Sequence, residues 1–256
     1  MKINYHTHTT RCKHAYGSDE AYVMAAIKAG YDELGMSEHS PWVLHPGETA
    51  AYRMELEDMD DYMQSMRTLR EKYKDQITIH IGLEAEYFRD RFDWLVDFKK
   101  QHALDFIIFG NHNRDRISYH TYYGDYHAPD LLLDHYVEDA IEAMSTGFYS
   151  IFAHPDLYFK TLNVVNQDTL AAAQALCEAA NHYQVPLEYN LGGFRYGDNA
   201  YPKAAFWEIA AKNKNVTIIG VDAHDPDHLL DDKARSDAQA YLHKIGVNLV
   251  EAIEFK

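Results

Sequence analysis

The chain has 256 residues, 46% apolar and 25% charged, a length and composition expected of one soluble globular domain spanning 1–256. A formal charge of −16 leaves no basic stripe for nucleic acid, and no apolar run approaches the ~20 residues that cross a bilayer. Two distant cysteines, Cys12 and Cys177, make no disulfide framework, and no signal-like apolar stretch opens the chain, so a cytoplasmic location is expected.

Strand and helix patterns alternate along the sequence. Ile3–Tyr5 reads as a first strand, followed by a helix over Asp19–Ala29 with Ser18 as N-cap and Gly30 at its end. A short strand, Glu33–Met36, precedes a helix over Glu55–Tyr73, where Leu56, Met59, Tyr62, Met63, Met66 and Leu69 recur at helical spacing. Ile77–Leu83 is a third strand and Phe92–Gln101 a helix; Phe106–Phe109 is a fourth strand and Leu131–Ser145 a helix. Tyr149–Ala153, Pro186–Tyr189 and Val216–Val221 complete seven strands, each followed by a helix: Thr169–Tyr183, Ala204–Lys212 and Asp232–Lys244. Val247–Phe255 is a tail that pairs or packs back. Strict alternation predicts parallel strands with helices outside, closed into a barrel, and the missing Gly-rich phosphate loop disfavours an open doubly wound sheet. Two long loops, His39–Met54 and Asn111–Asp130, both follow strands and belong on one face.

Parallel barrels carry their chemistry at the C-terminal ends of their strands. Reading those ends in turn gives His6, His8 and His14; Glu38 and His39; Glu84 and Glu86; His112; His154; Asn190 and Arg195; and Asp222 and His224. In extended chain, residues two apart point the same way, so His6 and His8 can share one ion, and Asp222 and His224 repeat the spacing. Nitrogen and oxygen donors suit Zn, Mn or Fe and disfavour an iron–sulfur cluster. Cys12 lies among these candidates, but the histidines offer a complete set without it.

The segments His6-Thr7-His8-Thr9, Ser37-Glu38-His39-Ser40, Gly82-Leu83-Glu84-Ala85-Glu86, Gly110-Asn111-His112, Ala153-His154-Pro155-Asp156 and Gly220-Val221-Asp222-Ala223-His224 span nearly the whole chain. In that order they resemble the polymerase-and-histidinol-phosphatase (PHP) superfamily, and within it the histidinol-phosphatase branch. The resemblance implies a distorted barrel of seven β/α units and a site for two or three divalent ions. His6, His8, Glu84 and Asp222 would hold the first. Glu84 would bridge to a second, held also by His112 and His154. His14, His39 and His224 would hold the third. The family often reads Gly-Ser-x-His where this chain has Gly-Asn-His, so the register at His112 departs from the pattern. Glu38 is expected to orient a ligand histidine.

The expected chemistry is hydrolysis of a small phosphomonoester, with L-histidinol phosphate implied by the resemblance. Catalytic roles are expected for Glu84, Asp222, His224 and Arg195. Substrate contacts are expected from Arg195, with Arg11, Lys13, Lys160 and His45 as further candidates. The competing readings are a phosphodiesterase or exonuclease, a phosphatase for another small ester, a metallo-amidohydrolase and a non-catalytic metal-binding domain. The acidic balance disfavours nucleic acid. Glu84, where the amidohydrolases usually carry a modified lysine, disfavours amide hydrolysis.

Overall fold

Seven strand–helix units form in the predicted order in the computed structural model, which describes residues 1–196 and 200–256. The strands are β1 (Ile3–Asn4), β2 (Glu33–His39), β3 (Thr78–Ala85), β4 (Phe106–Gly110), β5 (Ile151–Ala153), β6 (Leu187–Asn190) and β7 (Val216–Gly220). An eighth, β8 (Asn248–Leu249), arises from the tail and pairs with β7. The helices are α1 (Asp19–Lys28), α2 (Met59–Tyr73), α3 (Phe92–His102), α4 (Pro129–Ser145), a single turn α5 (Phe159–Leu162), α6 (Gln167–His182), α7 (Ala204–Lys212) and α8 (Asp232–Ile245). β4 and β6 each run one residue past their sequence pattern, to Gly110 and Asn190, and two strands run further still. β2 continues to His39 and β3 to Ala85, so Glu38, His39 and Glu84 sit on strands rather than in loops.

All pairings are parallel, in the order β1 to β8. The sheet curls until its C-terminal rim meets itself. Thr7, beyond β1, bridges to Ala223, beyond β7. The His8 amide donates to the Ala223 carbonyl at 2.9 Å, and the Ala223 amide to the His6 carbonyl at 3.2 Å. At the opposite end β8 lies beside β7, which distorts the barrel. Closure at the rim places the ends of β1 and β7 side by side, with the His6–His8 and Asp222–His224 pairs on them.

Local chemistry explains the helix ends. The Ser18 hydroxyl accepts from the Ala21 amide at the start of α1, and Asn166 and Thr169 form a reciprocal capping box at α6. Gly246 ends α8 at φ +83°, where a side chain would be strained. Side-chain alternation on β4 divides the core. Phe106 and Ile108 join Ile3, Tyr5, Ile151 and Ile218 inside the barrel, while Ile107 and Phe109 face the helices. Gly82 makes room for the Phe106 ring, since a Cβ there would lie 2.7 Å from it.

The end of the tail fills the N-terminal mouth of the barrel. Phe255 stacks on Phe106 with centroids 4.7 Å apart and meets Tyr5 and His80 edge-on at 5.0 and 4.9 Å. His80, on β3, bonds Glu33 at 2.9 Å. Phe255→Ala is expected to cost ~2 kcal/mol, a truncation of a partly buried aromatic. An unchanged urea midpoint would show that the plug does not contribute. Among the described residues no helix is long and apolar enough to cross a membrane.

Candidate metal centre

The C-terminal rim gathers nine side chains in one place. The extended chain after β1 aims both imidazoles inward, and His6 Nε2 lies 3.0 Å from His8 Nε2. Asp222 Oδ1 stands 3.5 Å from His6 Nε2 and 3.2 Å from His8 Nε2. Glu84, at the end of β3, reaches two groups of histidines at once. Its Oε2 lies 3.3, 3.5 and 3.1 Å from His6 Nε2, His8 Nε2 and His39 Nδ1. Its Oε1 lies 2.9 Å from His154 Nε2 and 3.2 Å from His112 Nε2. The His14 ring is 4.5 Å from that of His224 and 5.4 Å from that of His39.

Ligand-sized triads emerge from this packing: His6, His8 and Asp222; His39, Glu84 and His112; His8, His39 and His224. His39 therefore leans toward Glu84 as well as toward His224. His112 and His154 face each other, Nε2 to Nε2, at 3.3 Å. His154 and Asp222 both adopt positive φ, +32° and +53°, which non-glycine residues seldom do and which commonly marks a functional position.

Buried carboxylates orient the rings. His6 Nδ1 bonds Glu188 at 2.8 Å, His112 Nδ1 bonds Glu86 at 3.2 Å, and His8 Nδ1 lies 3.5 Å from Glu38. His14 and His224 direct Nδ1 to the Cys12 and Asp222 carbonyls at 2.8 and 3.1 Å. An imidazole that donates from Nδ1 presents a lone pair at Nε2. Two such lone pairs 3.0 Å apart repel unless positive charge lies between them. Glu84 Oε2, Asp222 Oδ1 and His224 Nε2 are also buried without a hydrogen-bond partner. Such atoms in a core are costly, and a cation satisfies them. The donor set therefore fits divalent metal ions.

The electrostatics agree. Burial pushes the Glu84 and Asp222 carboxyls up, but the surrounding histidines outweigh it and hold both well below the usual carboxylate range. Burial pushes His8 and His112 down, yet neighbouring carboxylates raise them to about 8 and about 9. The cage draws positive charge, proton or metal. Burial, and then the neighbouring His8, hold His39 and His224 well below the ordinary imidazole value, so they stay neutral.

A pocket of about 370 Å³ opens over these residues. Its outer wall includes Tyr52, Ile117, Tyr119, Tyr122, Leu157 and Lys160. A buried ion pair holds the two long loops of that wall together. Arg91 bonds Glu48 at 2.9 Å and the Asp115 carbonyl at 3.0 Å, and Glu48 accepts from the Ile117 amide at 2.9 Å.

The expected substrate residues are placed unevenly. Lys160 lines the pocket beside Tyr122. Arg11 turns away to Asp19 and Asp61, and Lys13 to Glu55 and the Ala50 carbonyl. His45 pairs with Asp90 at 3.1 Å and does not line the pocket. Arg195 donates to the Val221 and Asp222 carbonyls. Cys12 is buried with its thiol pushed up by burial, and Sγ bonds the Thr9 carbonyl at 3.1 Å.

Sequence reasoning assigned no role to Glu188 or Arg53. Glu188 lies between Leu187 and Tyr189 on a strand covered on both faces, where a carboxylate needs a partner. That pattern was its only signal. Arg53 holds Glu86 through two bonds, at 2.8 and 3.1 Å, and Trp42 Nε1 adds a third at 2.8 Å.

Known proteins are similar to this chain to different degrees. A protein named "probable histidinol-phosphatase" from Deinococcus radiodurans is 26% identical over 229 residues, covering 86% of this chain and 85% of its own. The Bacillus subtilis protein named histidinol-phosphatase is 24% identical over 255 residues, covering 88% and 94%. The structure of histidinol phosphate phosphatase from Lactococcus lactis, complexed with Zn, L-histidinol and phosphate, superposes with a TM-score of 0.76. It is 18% identical, covers 97% of this chain and 95% of its own, and so supports the fold. The family model for the PHP domain matches residues 4–191, nearly three quarters of the sequence and all but two of the gathered side chains, and this chain belongs to that family.

Proposed function

We propose that this protein is a metal-dependent phosphatase that hydrolyses L-histidinol phosphate to L-histidinol and phosphate. The observation that carries the reading is Glu84, whose two oxygens face separate sets of imidazoles. One carboxylate shared in this way suits neighbouring cations. His6, His8 and Asp222 would complete one site, His112 and His154 another, and His14, His39 and His224 a third.

Divalent ions such as Zn, Mn or Fe, when bound, activate water and neutralise charge on a phosphoryl group. The chain's own residues do the rest. Glu188 and Glu86 fix the orientations of His6 and His112, and Glu38 lies beside the His8 ring. Arg195 ties down the backbone carbonyls at Val221 and Asp222, and so holds the Asp222 carboxylate in place rather than meeting phosphate itself. Lys160 is the lysine of the pocket wall and would meet a phosphate oxygen. The tyrosines of that wall would cover the organic half and exclude water. An overall charge of −16 repels a phosphate ester at long range, so attraction has to be local. The names of the relatives, and the ligands of the Lactococcus lactis protein, support the substrate.

The test is phosphate release by metal-loaded protein from histidinol phosphate, from other small phosphomonoesters and from a phosphodiester. Histidinol phosphate is expected to lead in kcat/KM by about 100-fold, ~2.7 kcal/mol in the transition state. Preference for the diester, or amide hydrolysis without phosphate release, would overturn the proposal.

A further inference from the structure

We infer that Glu188 and Asn190, on β6, are positioning residues that set the geometry and affinity of the metal centre from beneath it. The inference rests on the metal-centre reading above and not on the identity of the substrate. Neither residue is offered as a ligand.

Glu188 is 1% exposed, and among the described residues its only ion-pair partner is His6. One oxygen takes the His6 Nδ1 contact at 2.8 Å. The other accepts from Asn190 Nδ2 at 2.7 Å and from the backbone amide of His154 at 3.2 Å. Asn190 Nδ2 reaches on to Asp222 Oδ2 at 3.3 Å. Two side chains on one strand thus touch candidate ligands from β1, β5 and β7.

The sheet is built to admit this carboxylate. Gly220 on β7 pairs with Asn190, and a Cβ at Gly220 would fall 1.7 Å from Glu188 Oε1. A side chain at position 220 would have to displace Glu188 from this place, since its Cδ and Cγ also fall within 2.4 and 2.8 Å of that Cβ. A buried carboxylate costs several kcal/mol unless it is paired, and an apolar residue would fill the same space at less cost. Holding His6 with Nδ1 protonated gives that cost a purpose. It aims the Nε2 lone pair into the space shared with Asp222 and Glu84, where a cation would meet all three, and it makes the imidazole a stronger electron donor.

Cobalt titration of the full-length protein tests this. Glu188→Gln keeps the shape and removes the charge. Cobalt affinity is expected to fall about 10- to 100-fold for at least one ion, with a changed visible d–d spectrum, while circular dichroism still reports a folded protein. A purely structural role would move the melting temperature without altering the spectrum of bound cobalt. Wild-type affinity and spectrum in Glu188→Gln overturn the inference. Should that variant fail to fold, Asn190→Ser decides: a fall of about 10-fold supports the inference and unchanged binding overturns it. Wild-type protein that takes up no cobalt overturns the metal centre, and this inference with it. Cobalt uptake without phosphatase activity touches only the proposed substrate.

Discussion

Glu84→Gln is expected to lower kcat by about 10³-fold or more, ~4 kcal/mol, and to do more damage than replacement of any single histidine. Geometry dictates the ranking. Each imidazole contributes one nitrogen to the cluster, whereas Glu84 presents one oxygen to His6, His8 and His39 and the other to His112 and His154. An amide keeps the shape but carries no charge. Its NH2 group would also put a donor where a cation would otherwise meet the Nε2 lone pairs. Gly110 leaves the room this side chain occupies, since a Cβ there would lie 2.5 Å from Glu84 Oε1. Steady-state kinetics at saturating metal check the prediction. Full turnover by Glu84→Gln would remove the shared carboxylate from the mechanism.

Stripping metal with a chelator is expected to abolish phosphatase activity, and Zn or Mn to restore it. Stability follows the metal. Each ion held at 1,000 times its dissociation constant stabilises the folded state by about 4 kcal/mol. The rim explains why loss of the ions is felt. Glu38, Glu84, Glu86, Glu188 and Asp222 are all buried, and Arg53 is the buried guanidinium that pairs with one of them. Without metal, protons on the histidines supply the missing positive charge. Burial works against His8 and His112, but their carboxylate neighbours raise them to about 8 and about 9, above the unfolded value near 6.5. A folded pKa above the unfolded one gives stability that is complete below the unfolded value and is lost as pH rises through the folded one. The metal-free protein should therefore lose stability between about pH 6.5 and 9, and the metal-loaded protein should hold it there. Thermal melts of both forms across that range are the measurement. Parallel pH profiles would mean that metal and protons do not share the cage.

Much of this was legible in the sequence because the relevant periods are short. Strand–helix alternation predicted seven units, and each formed. The same-side rule for residues two apart placed His6 with His8. The eighth strand was not legible as such, because two residues carry no alternation and only the edge of β7 recruits them. The sequence pattern ends β2 and β3 too early, since Glu38 and Glu84 look like loop residues until their buried partners are known.

Long side chains mark the limit. Arg11, His45 and Arg195 follow strands, as substrate-binding residues would, yet the nearest acceptors decide where each one points: Asp19 and Asp61, Asp90, and the carbonyls at Val221 and Asp222. Local sequence fixes which side of a strand a residue leaves from, and this suffices for short, stiff ligands such as histidine at a strand terminus. It does not encode which partner arrives from a distant segment. The strand ends that carry the cage are therefore readable in one dimension, while the set of nine is what the family resemblance implies. The carboxylates behind it, the loop clamp of Glu48 and Arg91 and the Phe255 plug exist only once the sheet curls and residues far apart in the chain become neighbours.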